Sequence, residues 1–112
     1  MILSGLFGNE TAAKVLLYLE NHSTGYPSGI SSTFDIPVSQ IQRQLEKFER
    51  EGLLASKLIG KTRNYTWNPR CFYVHELRSI LKKATAALPD SEIEKYFRHR
   101  SRPRRAGKPL PK

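Results

Sequence analysis

A helix that ends at a glycine and runs straight into a basic hairpin is the tightest constraint in this chain. Residues 34–67 read FDIPVSQIQRQLEKFEREGLLASKLIGKTRNYTW. Pro37 marks a boundary, because the residue before a proline is pushed out of the helical region. From Val38 to Glu51 the apolar positions are Ile41, Leu45 and Phe48, the i, i+4, i+7 spacing of an amphipathic helix. Gly52 suits the position just past a helix end. Leu54 to Ile59 and Arg63 to Trp67 then read as two strands around a Gly60-Lys61-Thr62 turn, closed by Asn68-Pro69.

The residues of the Val38–Glu51 helix are sorted across it and along it. Ile41, Leu45 and Phe48 face a core. Ser39, Arg43, Glu46 and Arg50 lie opposite, with Gln40, Gln42 and Lys47 on the flanks. The first half, VSQIQRQ, carries no acid, whereas the second half, LEKFERE, carries three. A helix entering the major groove by its N-terminus needs this order, since its positive dipole end and free N–H groups meet phosphate. Arg pairs bidentately with guanine and Gln with adenine, so Gln40, Gln42 and Arg43 suit base edges. The plain alternative is a solvated helix face. The hairpin adds weight to the DNA reading. Lys57, Lys61 and Arg63 sit on or near its tip, and no acid falls between Ser56 and Pro69. Such a tip can reach backbone or an adjacent minor groove. Arg63, Tyr65 and Trp67 alternate onto one side of the second strand. Core packing is favoured for Trp67, and the choice between core and contact stays open for Tyr65.

The flanking segments are helical. Asn9 is expected to cap a helix from about Glu10 to Asn21, with Leu6 and Phe7 packed beneath it and Ala12, Val15, Leu16 and Leu19 on one face. Gly25 and Pro27 break it. Residues 27–34 form a short helix in which Ile30 and Phe34 share a face, against the propensity of its glycine and serines. Val74, Leu77, Leu81, Ala84 and Leu88 make a heptad-like seam over roughly residues 72–88. Packing on the chain's own first helix and contact across a two-fold axis both fit this seam, and a shared role is expected. Pro89-Asp90-Ser91 restarts a short helix to about Arg98. Residues 101–112, rich in Pro and Arg, cannot bury a core and are expected to be disordered when free.

With 112 residues and one cysteine, Cys71, the chain has room for one modest core, no intrachain disulfide and no cysteine cluster for zinc. No apolar run suffices to span a bilayer, and the N-terminus lacks a basic segment before its apolar residues, so a cytoplasmic protein is expected. The net charge of +9 is unevenly placed. Eight basic residues and no acid follow from Lys95 onward, leaving eleven basic against ten acidic residues in the body. The excess sits in the tail, so the hairpin reading rests on local pattern and not on net charge. His22, His75 and His99 show no ligand spacing, and His75, beside the seam, reads as structural. A lone Cys71 near a helix start reads as packing more than as a redox sensor. No phosphate loop or nucleophile–base pairing is evident, so no enzyme, metal or cofactor is expected.

Helix, short helix, turn, helix and β-hairpin in this order resemble the winged helix-turn-helix of bacterial ArsR- and MarR-like regulators. The residues carrying the resemblance are Leu6-Phe7-Gly8, Ser39 to Leu45, Glu51 to Leu54, and Gly60 to Tyr65. It covers roughly residues 6–88. The fold it implies is mainly α with a small hairpin (α+β), a winged helix-turn-helix with C-terminal helices. Residues 1–70 would form the DNA-binding unit, 71–98 the dimerisation helices and 99–112 a basic tail. The implied function is a sequence-specific regulator of transcription, a repressor, bound to double-stranded DNA as a homodimer. Early recognition-helix residues touch bases in similar proteins and the wing tip touches flanking DNA. The expected contacts are therefore Ser39, Gln40, Gln42 and Arg43, with Lys47, Lys57, Lys61, Thr62, Arg63 and Asn64 beside them. Arg102, Arg104 and Arg105 of the tail are expected to lie along phosphates. The family's metal sensors carry paired cysteines on the recognition helix or His and Asp on a C-terminal helix, and this chain has neither. Some similar short regulators are encoded beside nucleotidyltransferase-like toxins. The alternative is thus an antitoxin-like or scaffold protein whose tail binds an acidic co-encoded protein or RNA.

Overall fold

The structure, a computed structural model, describes residues 3–97. Its elements in chain order are α1 (Ser4–Phe7), α2 (Glu10–His22), β1 (Thr24–Gly25), α3 (Pro27–Phe34), α4 (Val38–Arg50), β2 (Leu54–Ile59), β3 (Thr62–Trp67), α5 (Val74–Ala86) and α6 (Asp90–Glu92). A π-helical turn, Ile93–Phe97, continues α6.

Helix α2 is the post of the molecule. Asn9 caps it as expected, its Oδ1 accepting from the Ala12 N–H at 2.6 Å. Of the two residues expected under that cap, Phe7 packs against the core, but Leu6 is 64% exposed. Ala12, Ala13, Val15, Leu16, Leu17 and Leu19 are all buried. At 100° per residue they cover about 200° of the helix, twice the stripe of an ordinary surface helix. The expected face therefore lacked Ala13 and Leu17. Helices α1, α3, α4 and α5, strand β1 and the π turn all pack against this post.

Three antiparallel strands form one sheet in the order β1-β3-β2. The hairpin β2–β3 pairs Ile59 with Thr62, so its turn is the two-residue Gly60-Lys61 and β3 begins one residue earlier than expected. Strand β1 is the unexpected element. Its two residues pair as Thr24↔Thr66 and Gly25↔Tyr65, and Thr24 Oγ1 donates to the Tyr65 carbonyl at 3.2 Å. Gly25 is there because there is no space for more. A Cβ on it would stand 3.0 Å from Tyr18 Cε1 and 3.1 Å from Ile30 Cδ1.

Helix α5 closes the other side of α2. Arg78 Nε donates to Glu20 Oε1 at 2.8 Å, and the guanidinium lies 5.7 Å from the centre of the Trp67 ring. Asn21 Nδ2 donates to Thr85 Oγ1 at 3.0 Å, tying the same two helices. The seam of α5 turns inward. Val74, Leu81 and Ala84 are buried in the chain's own core, and Leu77 and Leu88 pack against it. Val74, Leu81 and Ala84 thus serve the intrachain role, while Leu77 and Leu88 keep part of their surface in solvent. His75 is corrected, since it is exposed on the outside of α5 and takes no structural place. The C-terminal turn contributes aromatics that the seam pattern does not reveal. Tyr96 lies tilted and Phe97 edge-on against Phe34, at ring-centre distances of 5.1 and 5.8 Å. The tail residues Arg102, Arg104 and Arg105 lie outside the described residues.

Gly25→Ala is expected to destabilise the protein by about 1–3 kcal/mol, because the added methyl overpacks the junction of α2, α3 and the sheet. Urea unfolding checks this, and an unchanged midpoint would show that the junction yields freely.

Candidate nucleic-acid interface

Helices α3 and α4 meet through a three-residue turn, Asp35 to Pro37. Asp35 takes the left-handed conformation (φ 58, ψ 48), which Asp tolerates better than most residues. The Ile36 N–H reaches back to the Ser31 carbonyl at 3.2 Å, and Ser31 Oγ donates to the Ile36 carbonyl at 2.5 Å. The N–H and the carbonyl of Ile36, the middle residue of the turn, are thus both held by one residue of α3. Phe34 and Ile30 anchor α3 in the core, as do Ile41, Leu45 and Phe48 for α4. The angle between the helices follows from these anchors.

The start of α4 has no side-chain cap. Pro37 precedes it and offers no hydrogen-bonding side chain, and no acid lies in the first turn. Its opening N–H groups therefore keep their positive field pointing outward. Ser39, Gln40, Gln42 and Arg43 are all exposed around this end, as is Val38 at 43%. Lys47 differs from them. It is half-buried, with Nζ 5.2 Å from the centre of the Phe48 ring, so its stem lies along the helix. The end of α4 is closed by Gly52 at φ 87. The Leu53 N–H donates to the Phe48 carbonyl and the Gly52 N–H to the Glu49 carbonyl, both at 3.0 Å. This is the Schellman pattern, with Leu53 and Phe48 buried together.

The wing is attached to α4 by a polar bridge absent from the sequence reading. Ser56 Oγ donates to Glu49 Oε2 at 2.7 Å and accepts from Arg63 Nη1 at 3.0 Å. Strand register explains it: Ser56 pairs with Tyr65, Leu58 with Arg63 and Leu54 with Trp67, so these six side chains share the face turned to α4. Tyr65, at 3% exposure, is the core residue of that face, which settles the open choice between core and contact. Burial raises its phenol above the ordinary 10.0, with the Glu49 and Glu46 carboxylates adding and Arg63 opposing. It stays a neutral hydroxyl at neutral pH. Trp67 packs beside it, half-buried, as favoured from sequence. At the base, Asn68 Nδ2 donates to the Gly52 carbonyl at 2.9 Å and joins the hairpin to the helix end.

The same register divides the expected wing contacts. Arg63 stands on the α4 side and is bound to Ser56. Lys57 and Asn64 pair with each other on the opposite face, with Thr62 on that face at the turn. Lys61 is at the exposed apex. Lys57, Lys61, Thr62, Arg63 and Asn64 are therefore not one patch. They flank a tip whose remaining surface is apolar, with Leu58 60% and Ile59 54% exposed. Among the described residues, no three His, Cys, Asp or Glu side chains come together as a metal site, and no helix is long and apolar enough to cross a membrane.

No protein-family model matches this chain, and no curated protein matches it in sequence. Solved structures do match. AdcR, the adhesin competence repressor of Streptococcus pyogenes, superposes with a TM-score of 0.51 at 8% identity over 83% of this chain and 78% of its own. A mutant of ZitR from Lactococcus lactis gives 0.48 at 16% identity over 76% of this chain and 66% of its own, slightly under two thirds of that protein. The same mutant in its apo form gives 0.48 at 13% identity over 83% and 79%. At these identities the likeness concerns architecture. Six helices with a three-stranded antiparallel sheet, α4 leading into the β2–β3 wing, form a winged helix-turn-helix.

Proposed function

We propose that this chain is a sequence-specific regulator of transcription that binds double-stranded DNA as a homodimer and acts as a repressor. The observation carrying this reading is the start of α4: an uncapped, acid-free helix end ringed by exposed Ser39, Gln40, Gln42 and Arg43. A helix end of this kind docks on phosphate and offers amide and guanidinium groups to base edges. Glu49 does not oppose this, because its carboxylate accepts from Ser56 of the wing. The resemblance to a named repressor supports the fold that such reading requires. Lys61 at the apex, with Lys57 and Asn64 on the outer side, suits flanking phosphates. Arg63 has the smaller role, since Ser56 links it to Glu49. Residues 1–70 are the proposed DNA-reading unit, and residues 71–98 the proposed dimerisation region.

The second reading, an interaction protein for an acidic partner or RNA, draws on one feature: eight of the nineteen basic residues follow from Lys95 onward with no acid among them. Binding to random duplex against a palindrome from the chain's own promoter separates the two. Equal affinities would leave only sequence-blind electrostatics.

Arg43→Ala is expected to cost about 1–3 kcal/mol at the specific site and almost nothing on random DNA. Competition binding measures this, and an equal loss on both would make Arg43 a phosphate contact. Lys61→Ala is expected to weaken both alike and to lower the slope of log K against log salt by about one unit. An unchanged slope would remove Lys61 from the interface. Deleting residues 101–112 takes away five basic residues. The slope is expected to fall by up to about 4.5 units, with the ratio of specific to random affinity kept. A truncated chain with the full slope would show that the tail serves another partner.

A further inference from the structure

Beside its inner seam, α5 carries a polar stripe. His75, Arg78, Ser79 and Lys82 recur at i, i+3, i+4 and i+7 and so share one face of the helix. With Glu20 of α2 they line an open cleft of about 320 Å³. None of these five side chains is apolar. The Glu20 side chain is 8% exposed and that of Arg78 40%.

The contacts inside the cleft leave donors over. Glu20 Oε1 accepts from Arg78 Nε at 2.8 Å, which uses one of the five N–H groups of the guanidinium. Among the described residues, the two Nη groups of Arg78, the His75 ring, the Ser79 hydroxyl and the Lys82 ammonium have no hydrogen-bond or ion-pair partner. Two cations therefore face one carboxylate, with an imidazole and a hydroxyl beside them. The charge left over is positive.

We infer that this cleft is a binding site for a small phosphorylated ligand, a phosphomonoester that also carries a free hydroxyl. The open end of the Arg78 fork and the Lys82 ammonium take the phosphoryl oxygens, a pairing that suits both groups. His75 and Ser79 add an N–H and an O–H donor on the same helical face. Glu20, the carboxylate of the cleft, accepts from the hydroxyl of the ligand. A metal ion does not fit here. Only Glu20 and His75 could ligate it, and two cations stand beside them. An apolar ligand does not fit either, because its surface would meet polar groups alone.

The place of the cleft separates it from the wing tip. The Arg78 guanidinium lies 5.7 Å from the centre of the Trp67 ring. Trp67 pairs with Leu54 at the base of the hairpin, five residues along β3 from Thr62 at the turn. Five residues of strand span about 17 Å. A ligand on Arg78 thus acts where the sheet meets α5 and α2. It draws on the one guanidinium that already serves Glu20 and Trp67, so binding shifts the surroundings of the indole. Trp67 is the only tryptophan of the chain, and its fluorescence reports on this site. The inference does not depend on DNA binding and is measured without it.

The test is a titration of the full chain with glycerol 3-phosphate, read by Trp67 fluorescence and by isothermal calorimetry, at an ionic strength held constant with potassium chloride. An open site with a few charge-assisted hydrogen bonds is expected to saturate with a dissociation constant of about 1 mM. Lys82→Glu is expected to weaken binding on the order of tenfold, and Lys82→Ala about threefold. Lys83→Glu makes the same change of charge one residue away, outside the lining of the cleft, and is expected to leave binding within about twofold. Lys82 and Lys83 are both exposed, so thermal melting is expected to be unchanged in all three variants. No saturable signal by either method, full binding by both Lys82 variants, or an equal loss in Lys83→Glu would each overturn the inference. A Lys82→Glu chain that loses affinity for a short random duplex but not for glycerol 3-phosphate would overturn it too, and assign the cleft to backbone phosphate.

Discussion

Burial of α2 over more than half its circumference is the constraint on which the other elements depend. A surface helix shows one stripe to the core, and α2 shows two. Ala12, Val15, Leu16 and Leu19 form one, and Ala13 and Leu17 extend it to a second wall. A chain this short has too little interior for two separate cores. Placing one helix in the middle lets both α4 and α5 pack on it. The polar ties follow from that arrangement. Glu20, almost buried on α2, is tolerable because Arg78 reaches it from α5, and Arg78 in turn lies on Trp67 of the wing strand. A single guanidinium thereby joins the central post, the outer helix and the sheet.

What could be read from sequence was what is periodic. The i, i+4, i+7 spacing of Ile41, Leu45 and Phe48 places α4 correctly to within a residue, and Gly52 stops it for the reason expected. The wing strands were legible from their turn and alternation. Strand β1 was not, because a two-residue strand has no period of its own. It exists only because β3 has an open edge and Gly25 lets the chain approach it. The α5 seam was legible as a seam, but periodicity cannot say what covers it. That depended on Ala13 and Leu17 widening α2. The π turn was hidden for a similar reason. Tyr96 and Phe97 are held by contacts with Phe34, more than sixty positions away in the chain.

The candidate interface was legible as a composition and not as a surface. Exposed Gln40, Gln42 and Arg43 stand where spacing put them. One acid of α4 is held by a contact that spacing does not show: Glu49 accepts from Ser56 of the wing, whereas Glu46 stays exposed. Basic residues of the hairpin, read as one cluster, are separated by strand alternation onto two faces. Lys47, counted from the helical wheel as a flank contact, is drawn down along the Phe48 ring.

The bridge from Glu49 through Ser56 to Arg63 sets the mechanics of the candidate interface. Together with Asn68 at the base, it stitches the hairpin to α4 at two heights, so the two cannot hinge independently. Only the last few residues around Gly60 and Lys61 extend beyond the upper stitch. Compliance is therefore concentrated in a tip of about one turn, while everything below it keeps a fixed offset from the helix. A ligand surface that fits α4 but curves differently from the wing would have to bend itself. Under the proposed function, such a rigid surface would select among duplexes by how cheaply they deform as well as by the letters they present.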